Sequence, residues 1–153
     1  QSLPEVQAQV VFDEAPGLGP VAGILAGLGA IQTPLAFLTS CDVPFLSPGL
    51  AVYLASRAGG REAPDVVIPE WDGRLQPLQA VYRSSLAPLL REQLAVGRGR
   101  VLDLVARART EVIPEETLRE FDPEGQTFFN MNTPDDYRQA VELWQGRVVP
   151  GEK

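Results

Sequence analysis

The sequence predicts an α/β domain three layers deep, with helices on both faces of a mainly parallel sheet. Three observations predict it. Short apolar runs alternate with amphipathic helical stretches through the first half of the chain. The run Leu35-Ala36-Phe37-Leu38 is apolar at every position, as an interior strand covered on both faces requires. Polar groups gather just past the predicted strand ends, where open sheets of this kind bind ligands.

Taken in order, residues 7–12 end in the apolar set Val10, Val11 and Phe12, which predicts a short strand stopping at Asp13. Residues 15–20 form a proline- and glycine-rich loop, and Val21 to Ile31 reads as a helix. Ile24, Leu25 and Leu28 give that helix its core side, while Ala22, Gly23, Ala26 and Gly27 keep the other side small. Repeated glycines inside a helix suggest close packing on a sheet, or a ligand against the helix. Leu35 to Ser40 is the central strand. Ser47-Pro48 then caps and starts a helix to Arg57 with Leu50, Tyr53 and Leu54 inward.

Residues 65–69 predict another strand, and Asp72-Gly73 predicts a type I′ hairpin turn. The strand returns over residues 75–82, with Pro77 demoting its start to an edge or a bulge. Ser84 or Ser85 caps a helix whose stripe is Leu86, Leu89, Leu90 and Leu94. Gly97-Arg98-Gly99-Arg100 breaks it, and Val101 to Arg107 is a further helix. Residues 111–114 and 127–132 predict short strands around a turn-rich stretch. Thr133, Pro134, Asp135 and Asp136 open a last helix with Tyr137, Ala140, Val141 and Trp144 expected inward, and the tail from Gln145 expected to be loose. No repeat, low-complexity segment or linker marks a second domain, so residues 1–153 read as one domain.

Composition narrows the chemistry. The net charge of −7 argues against nonspecific nucleic-acid binding and against docking on anionic membranes. A small anionic substrate remains compatible, because a few arginines and a metal suffice. The sequence has no apolar stretch long enough to span a bilayer. Its first residues lack the basic region and apolar core of a signal peptide. A single cysteine, Cys41, fits a reducing cytoplasm and reads as a small buried residue rather than a nucleophile. Histidine is absent, which removes His general-base chemistry and ordinary zinc sites with His ligands.

The candidate functional residues lie at predicted element ends. Asp42, beyond the central strand, can hold magnesium on a phosphate or merely cap a turn. Asp13 follows the first strand, and Asn130 and Asn132 precede the last helix. Asn132 could equally support the helix cap. Gly19 could let a phosphate approach, or serve a plain turn. Arg98 and Arg100 suit bidentate phosphate recognition, or a solvated loop.

The stretches Gly19 to Leu28, Thr39 to Leu46 (TSCDVPFL), Gln76 to Leu90, Gly97 to Val101 and Phe128 to Tyr137 (FFNMNTPDDY) occur in this order. Together they resemble the molybdenum cofactor guanylyltransferase family, over nearly the whole span from Val10 to Ala140. The pairing of CDxPF with NxNTPxD carries most of that resemblance. It implies a Rossmann-like nucleotide-diphospho-sugar transferase fold. It also implies transfer of GMP from GTP to molybdenum-bearing molybdopterin, with Mg2+ as the metal cofactor.

By this resemblance Asp42 matches the magnesium-binding and catalytic Asp, and Asp13 a guanine-nucleotide-site Asp. Gly19 and Gly23 fall in the GPxAG motif and are expected cofactor-binding positions. Gln76, Pro77, Arg100, Asn130 and Asn132 match the pterin side or the catalytic edge. Implied partners are GTP, molybdopterin and, in transient contact, the proteins that insert the finished cofactor.

The family opens with a strand and a glycine-rich LAGGxSxRMGxDK loop that cradles phosphates, and this sequence contains neither. The expectation is therefore an N-terminally incomplete nucleotidyltransferase domain. The alternatives are a cytidylyltransferase acting on the same pterin, or another nucleotidyltransferase of this fold with a sugar-phosphate or phospholactate acceptor. A third is a non-catalytic pterin-binding module.

Overall fold

The computed structural model describes residues 8–13, 17, 19–60, 62–97 and 99–147. Helix α1 (Pro20–Ala30) begins on a proline, whose fixed φ suits a first helical turn. Strand β1 (Leu35–Thr39) leads to α2 (Pro48–Arg57), where the Ser47 hydroxyl accepts the Leu50 amide as the sequence anticipates. Strands β2 (Val66–Trp71) and β3 (Arg74–Leu75) form the hairpin, with Asp72 and Gly73 at φ 51° and 66°. Both positive angles are what a type I′ turn demands.

The returning strand breaks over Gln76-Pro77-Leu78 and resumes as β4 (Gln79–Arg83). Pro77 lies in that interruption, which is a turn where the sequence predicted an edge or a bulge. A single 3-10 turn (Ser84–Leu86) opens α3 (Ala87–Ala95). Then come α4 (Val101–Arg107), β5 (Thr110–Ile113), α5 (Glu115–Leu118) and α6 (Pro134–Arg147).

The sheet is mixed. β1 pairs antiparallel with β4, β4 antiparallel with β2, and β2 parallel with β5. So β1, β2 and β5 share one direction, and β4 alone among the longer strands opposes them. Side-chain alternation splits the core into two layers. Val66 and Ile68 of β2 and Ala80 and Tyr82 of β4 face α1, α3 and α4. Val67 and Val81 face α2, with Ile113 and Leu118. Even β1 divides this way: Ala36 and Leu38 go to the first layer, Leu35 and Phe37 to the second. The three-layer α/β architecture is therefore the one the sequence predicts.

Several expectations need correction. β1 is an edge strand among the described residues and its ladder is antiparallel, not the parallel interior strand expected. The chain enters β4 from the β2–β3 hairpin, so β4 must run against β2 and brings that direction to β1. Residues 8–13 form no strand: no described strand pairs with them, and Val10, Val11 and Phe12 are 46%, 40% and 82% exposed.

Residues 127–132 hold a 3-10 turn (Gln126–Phe128) and irregular chain rather than a strand. The Asp122 carboxylate takes the amides of Gln126 and Thr127, which bends the backbone away from any ladder. In α6 only Ala140 of the expected inward set is buried, while Tyr137 and Trp144 are exposed. The helix also continues to Arg147, past the tail expected from Gln145. Cys41 is exposed, since it sits in the turn after β1 rather than in the core.

Candidate active site

The three strands that share a direction end on one edge of the sheet, at Thr39, Trp71 and Ile113, and β4 begins there at Gln79. α1, α2 and α4 each lead into one of those strands, so each must start at that same edge. Their N-cap residues are Gly19, Ser47 and Arg100. The topology thus collects the chemistry-bearing residues on the carboxyl edge, where doubly wound sheets keep their sites.

Asp42 occupies the turn after β1, half-buried. Its Oδ1 accepts a short hydrogen bond from the Ser40 hydroxyl, and the Gln79 amide group reaches that hydroxyl at 3.4 Å. Met131, between the two site asparagines, donates its amide to the Asp42 carbonyl at 2.9 Å. One backbone bond therefore sets Asn130 and Asn132 on either side of a residue held against Asp42. Phe45 and Phe129 pack with ring centroids 6.1 Å apart, and the Thr127 hydroxyl accepts the Ser47 amide and donates to the Phe45 carbonyl. These contacts clamp the CDVPF turn to the FFNMN segment.

The asparagines differ in state. The Asn130 side-chain oxygen is buried with no hydrogen-bond partner among the described residues, whereas Asn132 is exposed. The Asn132 and Thr133 amides both donate to the Asp136 carboxylate, and the Asp136 amide returns a bond to the Thr133 hydroxyl. This reciprocal cap starts α6 and leaves the Asn132 side chain outside the capping bonds. Bonding from Thr133, through its side chain and then its amide, together with the Asn132 amide, holds the Asp136 carboxyl below the usual carboxylate range.

A second group forms around the start of α1. The Asp13 carboxylate lies over Gly23, where an added Cβ would stand 3.5 Å from Oδ1. Gly19 has φ 71° and its missing Cβ faces the Gly99 carbonyl at 3.6 Å, so the link before α4 rests against the N-terminus of α1. Arg100 caps α4 from that link and is exposed. Arg98 lies outside the described residues. Gln76 and Pro77 connect to Asp42 through β4: the Gln79 amide donates to the Gln76 carbonyl at 3.1 Å, and Gln79 bonds Ser40.

Gln76 and Pro77 also brace the hairpin. The Gln76 side chain donates to the Arg74 carbonyl at 3.3 Å, and buried Tyr82 donates its hydroxyl to the Pro77 carbonyl at 2.7 Å.

Among the described residues no three acidic or thiol side chains gather as a ready metal cage. A metal ion that also binds a substrate's phosphates needs few protein ligands. Asp42 Oδ2 carries no hydrogen bond among the described residues and is the available ligand atom.

Sequence reasoning missed Ser40, Gln79, Thr127 and Gln93, all of which hold site segments in place. Gln93 alone left a signal: a polar residue three positions after Leu90, on the buried face of a helix.

Residues 1–112 match the MobA-like NTP transferase domain. A protein of Chloroflexus aggregans named a probable molybdenum cofactor guanylyltransferase is 39% identical over 147 residues, covering 94% of this chain and 68% of that protein. One of the same name from Methanosarcina mazei is 34% identical, covering 91% of this chain and 62% of its own length. A molybdopterin-guanine dinucleotide biosynthesis protein A from Archaeoglobus fulgidus superposes with TM-score 0.72 at 34% identity, covering 84% of this chain and 64% of that structure. An Aquifex aeolicus protein at 24% identity and TM-score 0.66, covering 82% and 63%, shares the fold. This chain thus spans about two thirds of the length of its relatives. It belongs to the family of MobA-like NTP transferase domains.

Proposed function

We propose that the protein containing this chain is a molybdenum cofactor guanylyltransferase. It transfers GMP from GTP to the terminal phosphate of molybdenum-molybdopterin. An acceptor phosphate oxygen forms a bond to the α-phosphorus. The bond from that phosphorus to the oxygen bridging the β-phosphate breaks, and pyrophosphate leaves. The observation that carries this reading is the Met131–Asp42 backbone bond, which joins the acidic turn and the asparagine segment at the sheet's carboxyl edge. The names of the relatives support the same reaction.

The acceptor phosphate is already a nucleophile, so the absence of histidine costs the mechanism nothing. The task is positioning and charge control. Asp42 would hold Mg2+, which when bound neutralises charge on the triphosphate. Asp13, lying on α1 over Gly23, offers a carboxylate to the N–H groups of a guanine. Arg100 supplies a cation to the acceptor phosphate, and Asn130 and Asn132 supply amides to the pterin or its phosphate. Gln76 and Pro77 shape the acceptor side through the hairpin they brace. GTP and molybdopterin are the small-molecule partners, and cofactor-insertion proteins would receive the product. The cytoplasm, where GTP is at hand, is the location that goes with this reading. No helix among the described residues is long and apolar enough to cross a membrane.

The test is pyrophosphate release by the complete protein with magnesium, molybdenum-molybdopterin and either GTP or CTP. Release with GTP, and little with CTP, is expected. A preference for CTP would reassign the base. Tight pterin binding with no turnover of either nucleotide would make the protein a carrier instead.

A further inference from the structure

Gln93 lies on α3 with 0% exposure, on the helix face that also buries Leu90. Its Nε2 donates to the Arg100 carbonyl at 2.8 Å, which also accepts the Asp103 amide at 3.2 Å. Its Oε1 is buried without a partner among the described residues. A buried amide that satisfies only its donor is unfavourable at a site where leucine or methionine would fill the same space. What the glutamine provides instead is a tie from the rigid core to the link before α4. That link leaves α3 at Gly97, with φ 73°, and its described residues belong to no sheet ladder. Its start is held by the Gly97 amide on the Leu94 carbonyl, and its end by Gln93.

We infer that Gln93 is a positioning residue for acceptor binding: its buried amide fixes the Arg100 carbonyl, and so sets the direction in which Arg100 reaches the anionic acceptor. The inference rests on the proposed role of Arg100. Gln93 itself is walled off in the core and touches no substrate. Fixing the backbone at the cap residue limits the positions its guanidinium can sample, which lowers the ordering cost of binding an anion.

The experiment is steady-state kinetics on the complete protein carrying Gln93→Met, Arg100→Ala and both together, with thermal unfolding of each. Gln93→Met should raise the KM for molybdenum-molybdopterin roughly tenfold, the size of one well-aligned hydrogen bond. The KM for GTP should stay within about twofold. In the Arg100→Ala background the same substitution should add nothing, since the group it positions is gone.

An equal rise in acceptor KM in both backgrounds overturns the inference, as does a drop in Tm with acceptor KM unchanged. If Arg100→Ala alone leaves acceptor KM unchanged, the role of Arg100 falls and the inference with it. If Arg100→Ala raises it and Gln93→Met does not, only the positioning role falls. Gln93→Asn, which keeps the amide on a shorter stem, carries the same cycle if the methionine variant does not fold.

Discussion

Met131 donates its backbone amide to the carbonyl of Asp42 across 2.9 Å, although 88 residues of chain separate them. Because the bond is between main-chain groups, it survives substitution of either side chain. The Asp42 carboxylate and the flanking Asn130 and Asn132 amides can therefore be altered one at a time while the segments stay joined.

Asp42→Asn should keep the fold and remove most guanylyl transfer. Asparagine retains an oxygen for the Ser40 hydroxyl but loses the charge proposed to hold the metal. A loss of about 3 kcal/mol of transition-state stabilisation means more than a hundredfold in kcat/KM. Turnover equal to the parent's at saturating magnesium would refute the role.

Arg100→Ala and Asn132→Ala should weaken use of the pterin substrate more than GTP binding. Neither change disturbs a side-chain bond that builds the fold: Arg100 caps α4 without its side chain, and Asn132 reaches Asp136 through its backbone. Calorimetry with GTP, set beside acceptor saturation curves, checks this. Reduced GTP affinity with unchanged acceptor saturation would move both residues to the nucleotide side.

Gly125→Ala should destabilise the domain by about 2–4 kcal/mol, combining overpacking with a disfavoured backbone. A Cβ there would stand 2.0 Å from the Trp71 ring, and Gly125 has φ 66°. The ring cannot retreat easily. Phe128 stacks on it at 5.1 Å, and the Arg119 guanidinium lies 4.6 Å from its centroid. The urea midpoint measures the loss, and an unchanged midpoint would mean the tryptophan is free to move.

Stability should fall as pH drops below about 4. Three carboxyls are held below their usual range in the folded state: Asp65 by bonding to Arg109, Glu115 by the Asp72 amide and then Arg119, and Asp136 by Thr133. A carboxyl lowered on folding contributes its stability above its unfolded pKa and loses it as pH falls through the folded value. Thermal scans between about pH 5 and pH 2 should therefore show a falling Tm. Asp136→Asn should flatten that fall. A Tm independent of pH in this window would contradict all three.

Local chemistry made much of this molecule legible in the residues alone. Ser47-Pro48 specified the start of α2, Asp72-Gly73 the hairpin turn, and Pro77 the break between β3 and β4, because each acts through its own φ, cap or missing N–H. The two-layer core followed from runs apolar at consecutive positions, which only a strand covered on both faces can bury. CDVPF and NMNTP marked the two segments that meet at the edge of the sheet where the proposed site lies. Tertiary structure decided what depends on partners far along the chain. Whether Leu35–Thr39 lay inside or at the edge turned on where β4 entered the sheet, and its ladder came out antiparallel. Phe128-Phe129 has strand propensity, yet the Asp122 carboxylate and the clamp to Phe45 bent that segment instead. Tyr137 and Trp144 carried the apolar spacing of an inward face, but spacing fixes which residues share a face and not whether a neighbour covers it. The hold of Gln93 on Arg100 likewise existed only once α3 and the link before α4 were packed together, because a hydrogen bond between separate elements leaves no period in the sequence.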